Sequence, residues 1–295
     1  MMQAPVHNPR TSVLASALAA HVQPAMVEIR PSRGLFDLEL GAVWRYRELL
    51  WVLILRDIQV LYRQAVLGVA WAIVQPVFAV AVFSVIFGYL AKIPSEGLPY
   101  AVFVFGAVLP WTYFAEALRR SSTGLVNDAE LVRKVYFPRL IIPLAAVTAP
   151  LVDFSIAFAV LFALMTWHGI FPTWNLVFVP LFLGLASTLA LAVGLWLGPI
   201  NVRFRDVKHT LPFIIQIWMY ASPIVYPLSM VPEQWRWLYS LNPMVGIIEG
   251  FRWAVLSKQH PDVVAILLSA LLVALLLFGG LIFFRRSEQS FADVI

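Results

Sequence analysis

No cysteine occurs anywhere in the 295 residues, so disulfides, thiolate nucleophiles and cysteine-based metal sites are excluded together. The histidines, His7, His21, His168, His209 and His260, are scattered over tails and loops, and no spacing puts two on one helical face, so no metal site is expected. No glycine-rich stretch ends in Gly-Lys-Ser or Gly-Lys-Thr, so the chain carries no phosphate-binding loop for ATP. Paired carboxylates near one interface, which a membrane-embedded enzyme such as a lipid-linked sugar transferase needs, are missing too. Charge is scarce, at 13% of residues against 61% hydrophobic. So much apolar surface exceeds what one soluble core can hide and calls for lipid as a second solvent. The net charge of +5 is dispersed in short segments between apolar runs, which is how a membrane protein places charge, and no nucleic-acid partner is expected. Residues 1–34 lack the apolar stretch and small-residue cleavage site of a signal peptide and read as a disordered tail.

What is present is a series of uncharged runs. The first opens between Arg63 and Lys92, and about 20 apolar residues suffice to cross a bilayer. The runs predict spans over residues 67–90, 97–117, 140–166, 175–198, 210–228 and 263–284. Seventeen Lys and Arg residues fall on one side of these spans and four, Lys92, Arg236, Arg252 and Lys258, on the other. The richer side is expected to be cytoplasmic, with both termini there. The expected fold is an all-α integral membrane protein with six transmembrane helices over residues 67–284 and a cytoplasmic tail from residue 285 to 295.

Three connections are more than connectors. Within residues 35–66, Arg45, Glu48, Arg56, Gln59 and Arg63 fall in an arc of about 80° on a helix turning about 100° per residue. Most of the remaining circumference is Leu, Ile, Val and Trp, although Arg47 and Asp57 lie off the stripe. The segment predicts an amphipathic helix lying in the membrane interface, with a solvated linker helix as the alternative. Next, Asn127-Asp128-Ala129-Glu130 carries the signals of a capped helix start, and Phe137-Pro138 stops the helix. A helix over residues 128–136 showing Leu131 and Val135 beside Arg133 and Lys134 is either a docking knob for a soluble partner or a basic turn. Last, residues 223–261 are too apolar for an ordinary loop and too broken by proline for a span. Pro232 and the pair Asn242-Pro243 each start a short helix, so a re-entrant hairpin over residues 232–256 is expected between the fifth and sixth spans.

Asp153 is the only ionisable residue near the middle of a run, fewer than proton-coupled transport uses. It reads either as a relay or as a carboxylate hydrogen-bonded to Thr148 or Ser155. Glu249 and Arg252, spaced for an intrahelical bridge, read as structural. Trp111, Tyr113, Trp218, Tyr226, Trp235, Trp237 and Tyr239 are either interfacial belt residues or the wall of a conduit, whose aromatic faces suit the C–H faces of sugar rings.

Several segments together resemble the membrane subunits of the polysaccharide-export ABC transporters, the type-2 exporters of O-antigen, capsule and teichoic-acid chains. They are Leu67-Gly68-Val69-Ala70-Trp71 with Gln75-Pro76, Asn127, Leu131-Val132-Arg133-Lys134, Phe137-Pro138-Arg139 and Arg205-Asp206-Val207. Ser222-Pro223, Tyr226-Pro227, Asn242-Pro243, Arg252 and the ending Phe291-Ala292-Asp293-Val294-Ile295 complete the set, spanning residues 36–295. The resemblance implies a bacterial inner-membrane homodimer carrying two copies of a nucleotide-binding subunit, which supplies the ATP and Mg site. It implies that Asn127, Glu130, Leu131, Arg133, Lys134, Phe137, Arg205 and Asp206 couple to that ATPase. Arg56 and Arg63 are expected to attract the charged headgroup of a polyprenyl-pyrophosphate-linked glycan. Trp111, Tyr113, Trp218, Tyr226, Trp235, Trp237, Tyr239, Asn242 and Arg252 are expected along the path and its outer gate. A type-2 exporter of a drug or small lipid would share the six spans and the ATPase partner.

Overall fold

Residues 40–63, 68–204, 206–257 and 262–294 are described in a computed structural model. The disordered-tail expectation for residues 1–34 lies outside them, as do Arg205, the side chain of Arg63 and the side chains of the terminal motif. Among the described residues the regular structure is entirely helical. Five helical segments are long and apolar enough to cross a membrane: Ala70–Leu90, Tyr100–Asn127, Ile141–Trp167, Trp174–Arg203 and Val263–Glu288. They match the first, second, third, fourth and sixth expected spans.

Two short helices, α1 (Leu40–Arg45) and α2 (Arg47–Arg63), precede the first span. That span is α3 (Gly68–Phe83) followed by a π-helical stretch, Ser84–Leu90, whose Gly88 lies so close to the Tyr100 ring that an added Cβ would meet it at 2.8 Å. The second span is α4 (Tyr100–Asn127), 28 residues long and ten residues longer at its far end than the charge pattern predicted. Glu116, near the expected end of the span, bonds Arg119 and Arg120 along the helix surface, at 2.7 and 2.5 Å, so the charges pair with one another without breaking the helix. A six-residue helix, α5 (Ala129–Lys134), leads to the third span, which is split at Ala149-Pro150 into α6 (Ile141–Thr148) and α7 (Leu151–Trp167). A 3₁₀ turn, Trp174–Phe178, opens into α8 (Val179–Arg203).

The expected fifth span is α9 (Val207–Tyr220), only 14 residues and therefore about 21 Å long, where a bilayer core is about 30 Å thick. It stops where Ser222-Pro223 makes a turn, not at residue 228. The expected hairpin is two helices, α10 (Glu233–Tyr239) and α11 (Pro243–Leu256), before the last span, α12 (Val263–Val294).

Burial is very uneven. The apolar window of α4 is 78% buried, that of α3 only 11% and that of α12 only 17%. Helix α4 is thus the hub, packed by α8, α6, α7, α11 and α3, and α11 is wedged between it, α8 and α12. Small residues permit the closest approaches, as lipid-embedded interfaces require. A Cβ at Gly250 would stand 2.0 Å from the Phe182 ring, and one at Gly246 would stand 2.5 Å from the Ala265 carbonyl. A second apolar cluster joins Leu53 and Ile54 of α2, Leu125, Val132, Phe137, Ile141, Val202 and Phe284. It marks the end of the bundle that carries most of the basic residues, here the basic end. The opposite, aromatic end gathers the 92–99, 168–178 and 221–242 connections.

Candidate functional site

At the basic end, α4 does not stop cleanly before α5. Asp128 N–H still bonds the Gly124 carbonyl at 2.9 Å, and the Asp128 carbonyl accepts from Val132 N–H at 3.1 Å. Asn127 is therefore the last residue of α4 and not a cap; its amide points back to the Thr123 hydroxyl at 3.4 Å. With Asn127 inside α4, it offers no cap for Glu130 to complete, and Glu130 instead pairs with Lys134 at 2.9 Å on the surface. The capping box is thus corrected to a simple turn at Asp128. The docking face shifts too. Leu131 is half-buried against the basic-end cluster and Val132 and Phe137 are buried, while Val135 and Tyr136 are exposed beside exposed Arg133 and Lys134. Phe137 is a structural plug and not a contact surface. Asp206 is exposed at the start of α9, where its side chain caps nothing.

Arg56 is not free to meet an anion. Its guanidinium bonds Asp57 at 2.8 Å and Asp128 at 2.9 Å, so its charge is already met by two carboxylates. The side-chain bond to Asp128 raises its pKa above the usual arginine range, with Asp57 adding to it and partial burial opposing it. The headgroup expectation for Arg56 is corrected accordingly. Further along α2, the Tyr62 hydroxyl bonds the Asp153 carboxylate. Thr148 and Ser155, the expected partners of Asp153, instead donate to the Leu144 and Leu151 carbonyls of their own helices, at 2.8 and 2.7 Å. Burial and the neighbouring Asp153 carboxylate push the Tyr62 pKa up. Arg139 closes the basic end by donating to the Glu288 carbonyl.

The aromatic end is organised by two side chains. Asn242 caps α11, its Oδ1 accepting from Met244 N–H at 3.0 Å and from the Trp218 indole N–H at 2.8 Å. Its amide donates to the Ala221 carbonyl at 2.9 Å and the Ser222 hydroxyl at 3.0 Å. Arg252, 4% exposed, donates to Glu249 at 2.8 Å and to the carbonyls of Pro223 at 2.8 Å and Ile224 at 3.4 Å, and stacks 3.9 Å over the Phe103 ring. The irregular backbone after α9 is thus satisfied by protein. Tyr100 donates to the Val225 carbonyl at 2.6 Å, and the Tyr226 and Tyr239 hydroxyls meet at 2.7 Å.

The expected path residues divide. Trp111 and Tyr113 are 4% and 3% exposed, Trp111 edge-on to Trp218 and Tyr113 bonded to the Val147 carbonyl at 3.0 Å. Both are interior packing residues, because α4 is enclosed by its neighbours, and the path expectation for them is corrected. Trp235 and Trp237 are exposed. Sequence reasoning missed Tyr62, Asp128 as an ion-pair partner, and Tyr100. Their partners lie 91, 72 and 125 positions away, so no local spacing signals them.

Regular structure that is entirely helical among the described residues, with five spanning-length apolar helices there and Arg252 buried among carbonyls and a carboxylate, marks an integral membrane protein. The profile of the ABC-2 type transporter family matches residues 48–256, and the chain belongs to that family. It is similar to the O-antigen export system permease protein RfbA of Myxococcus xanthus, at 27% identity over 255 residues, covering 86% of this chain and 97% of that one. The protein of that name from Klebsiella pneumoniae is 25% identical over 250 residues, covering 84% and 95%. The polysialic acid transport protein KpsM of Escherichia coli is 27% identical over 244 residues, covering 81% and 93%.

Proposed function

We propose that this chain is the membrane-spanning permease subunit of an ATP-driven exporter that moves a lipid-linked polysaccharide out of the cytoplasm across a bacterial inner membrane. The observation that carries this reading is near end-to-end similarity to permeases whose names specify O-antigen export and polysialic acid transport. The basic end is then cytoplasmic, in line with its Lys and Arg excess. Two copies of the chain assemble with two copies of a nucleotide-binding subunit that holds ATP and Mg. The exposed Val135-Tyr136 edge, with Arg133 and Lys134, is the surface offered to that subunit, and Arg205 and Asp206 remain further coupling residues by resemblance.

Helix α9 serves as the fifth of six spans, completed by the 221–227 segment under the roof of α10 and α11. The re-entrant reading is supported by the way Asn242 and Arg252 meet the backbone carbonyls of 221–224, since non-helical backbone at membrane depth must be covered by protein or line a wet path. Helix α2, buried at Leu53 and Ile54 but exposing Trp51, Val52 and Leu55, suits the cytoplasmic interface. Trp235, Trp237, Tyr226 and Tyr239 surround the exit. With Arg56 committed elsewhere, the headgroup role passes to Arg63.

Deleting the gene tests the reading. Surface polysaccharide should disappear while its lipid-linked form accumulates inside, and the purified chain without its partner should hydrolyse no ATP. Unchanged surface polymer in the deletion strain overturns the reading.

A further inference from the structure

Helix α4 is the buried hub of the bundle, yet three charged side chains sit together on it, and neither the docking edge nor the outer gate accounts for them. Arg119 follows Glu116 by three positions and Arg120 by four, so the two arginines lie on either side of it on one face. Arg119 donates to both Glu116 oxygens, from Nε at 2.9 Å and from Nη2 at 2.7 Å, and Arg120 donates from Nε at 2.5 Å. One carboxylate thus serves two guanidiniums. Arg56 shows the opposite count, one guanidinium on two carboxylates. The α4 cluster keeps one positive charge in excess, and each guanidinium, with five N–H groups, keeps donors beyond those that Glu116 takes. The field of Arg120 reaches the Tyr62 hydroxyl, but the Asp153 carboxylate beyond it is bonded by Tyr62 and pairs with neither arginine.

Depth decides what this charge faces. Counted from Tyr100 at the aromatic end, Glu116 to Arg120 lie about 24 to 30 Å along α4, at the inner margin of a hydrocarbon core about 30 Å thick. Arg119 is 51% exposed there. An exposed guanidinium at that level is strongly disfavoured against lipid tails and looks out on headgroups or water. We propose that Arg119 and Arg120 form a fork that receives the pyrophosphate of the lipid carrier from the cytoplasmic leaflet, with Glu116 as the residue that holds the two guanidiniums side by side. The proposal rests on the exporter reading and adds to the role given to Arg63. Guanidinium donors match phosphate oxygens in pairs, and the excess charge favours a dianionic group over the single charge of an ordinary anionic phospholipid. The pyrophosphate oxygens take up the donors that Glu116 leaves open.

The test titrates the complex of this chain with its ATP-binding subunit, in detergent micelles, with a polyprenyl pyrophosphate, the matching polyprenyl alcohol and phosphatidylglycerol, and reads half-saturation by native mass spectrometry. The wild-type complex should take the pyrophosphate at least about tenfold more tightly than either other probe. Arg119→Ala and Arg120→Ala should each weaken the pyrophosphate about tenfold, the loss of a charge-assisted hydrogen bond, and leave the alcohol within about twofold. Arg119→Lys with Arg120→Lys keeps both charges but not the fork, and should weaken the pyrophosphate about threefold. Glu116→Gln keeps an acceptor but removes the competing charge, and should tighten the pyrophosphate about threefold. Wild-type affinity in the alanine variants overturns the fork, and so does a wild-type complex without preference for the pyrophosphate. An equal loss for phosphatidylglycerol overturns it too, because the arginines would then anchor any anionic lipid. Should the alanine variants fail to assemble, the lysine pair decides, and wild-type affinity there overturns the fork. Failure of the exporter reading shows separately: the wild-type complex in liposomes, supplied with lipid-linked glycan extracted from the source cells, then moves none.

Discussion

The two ends of this bundle solve the same problem by opposite means. At the aromatic end, one asparagine and one arginine each bind several backbone groups, and the arginine is almost wholly buried. At the basic end, the links are made by partly exposed arginines, Arg56 with Asp57 and Asp128 and Arg139 with the Glu288 carbonyl, around a small apolar cluster. Many bonds to one buried group make a joint that fails all at once, whereas separate half-wet pairs can be altered one by one. The first arrangement suits a seal and the second suits a surface that has to respond to a partner.

The sharpest way to break this contrast is at Arg252. Arg252→Ala leaves Glu249 buried without its cation and two carbonyl contacts unmet, which costs roughly 3–5 kcal/mol. The melting temperature of the detergent-solubilised protein should fall more for this variant than for any other named here, and Arg252→Lys should recover part of the loss by keeping the Glu249 pair. Next is Asn242→Ala, which removes a helix cap and strands the Trp218 indole N–H, together about 2 kcal/mol by the same melting measurement.

At the other end the separation should be between folding and assembly. Tyr136→Ala should change the chain's own melting by less than about 0.5 kcal/mol, because the side chain is 60% exposed, yet weaken assembly with the ATPase about tenfold in a pull-down titration. Leu131→Asp should damage both, since Leu131 is half-buried in the cluster. The smallest effect concerns the Arg56–Asp128 pair. Its folded-state pKa is raised, so its contribution is complete below the unfolded value and is lost only as pH rises through the folded one, beyond any ordinary assay. Melting should therefore show no pH dependence from this arginine, while added salt should erode about 1 kcal/mol or less, the pair being partly exposed.

The spans were largely legible because lipid makes charge the punctuation: Lys92 and Asp262 stand where helices end or begin, although α12 runs on past Arg285 to Val294. The pattern misled where charges sat on a helix that does not stop. Glu116, Arg119 and Arg120 look like a boundary in one dimension, but three and four residues apart they are neighbours on one surface. Asn242 was readable as a cap because capping is local, and Asn127 misread for the same reason, since whether a helix begins anew at that residue depends on whether the previous one has ended. The Glu249–Arg252 bridge was legible from its spacing, but Asp128 as partner of Arg56, Tyr62 as partner of Asp153 and the 223–224 carbonyls as partners of Arg252 were beyond reach, because each lies on an element brought near only by the packing of the whole bundle. Trp111 shows the limit for aromatics: composition reveals how many there are, but only the enclosure of α4 decides which face the interior.

The π-helical stretch at Ser84–Leu90 holds one residue more than an α-helix of the same bonding would, Ala91 N–H reaching to Ile86 at 2.9 Å and Ile93 N–H to Phe87. Such a stretch absorbs its extra residue in a wider turn, so the helix on either side keeps its facing. Deleting a single residue beside the point where Gly88 meets the Tyr100 ring would restore α-helical bonding and leave Trp71, Val74 and Phe78 on the bare side of the first span. In comparisons among relatives, a one-residue gap at this place would leave the facing of the first span as it is.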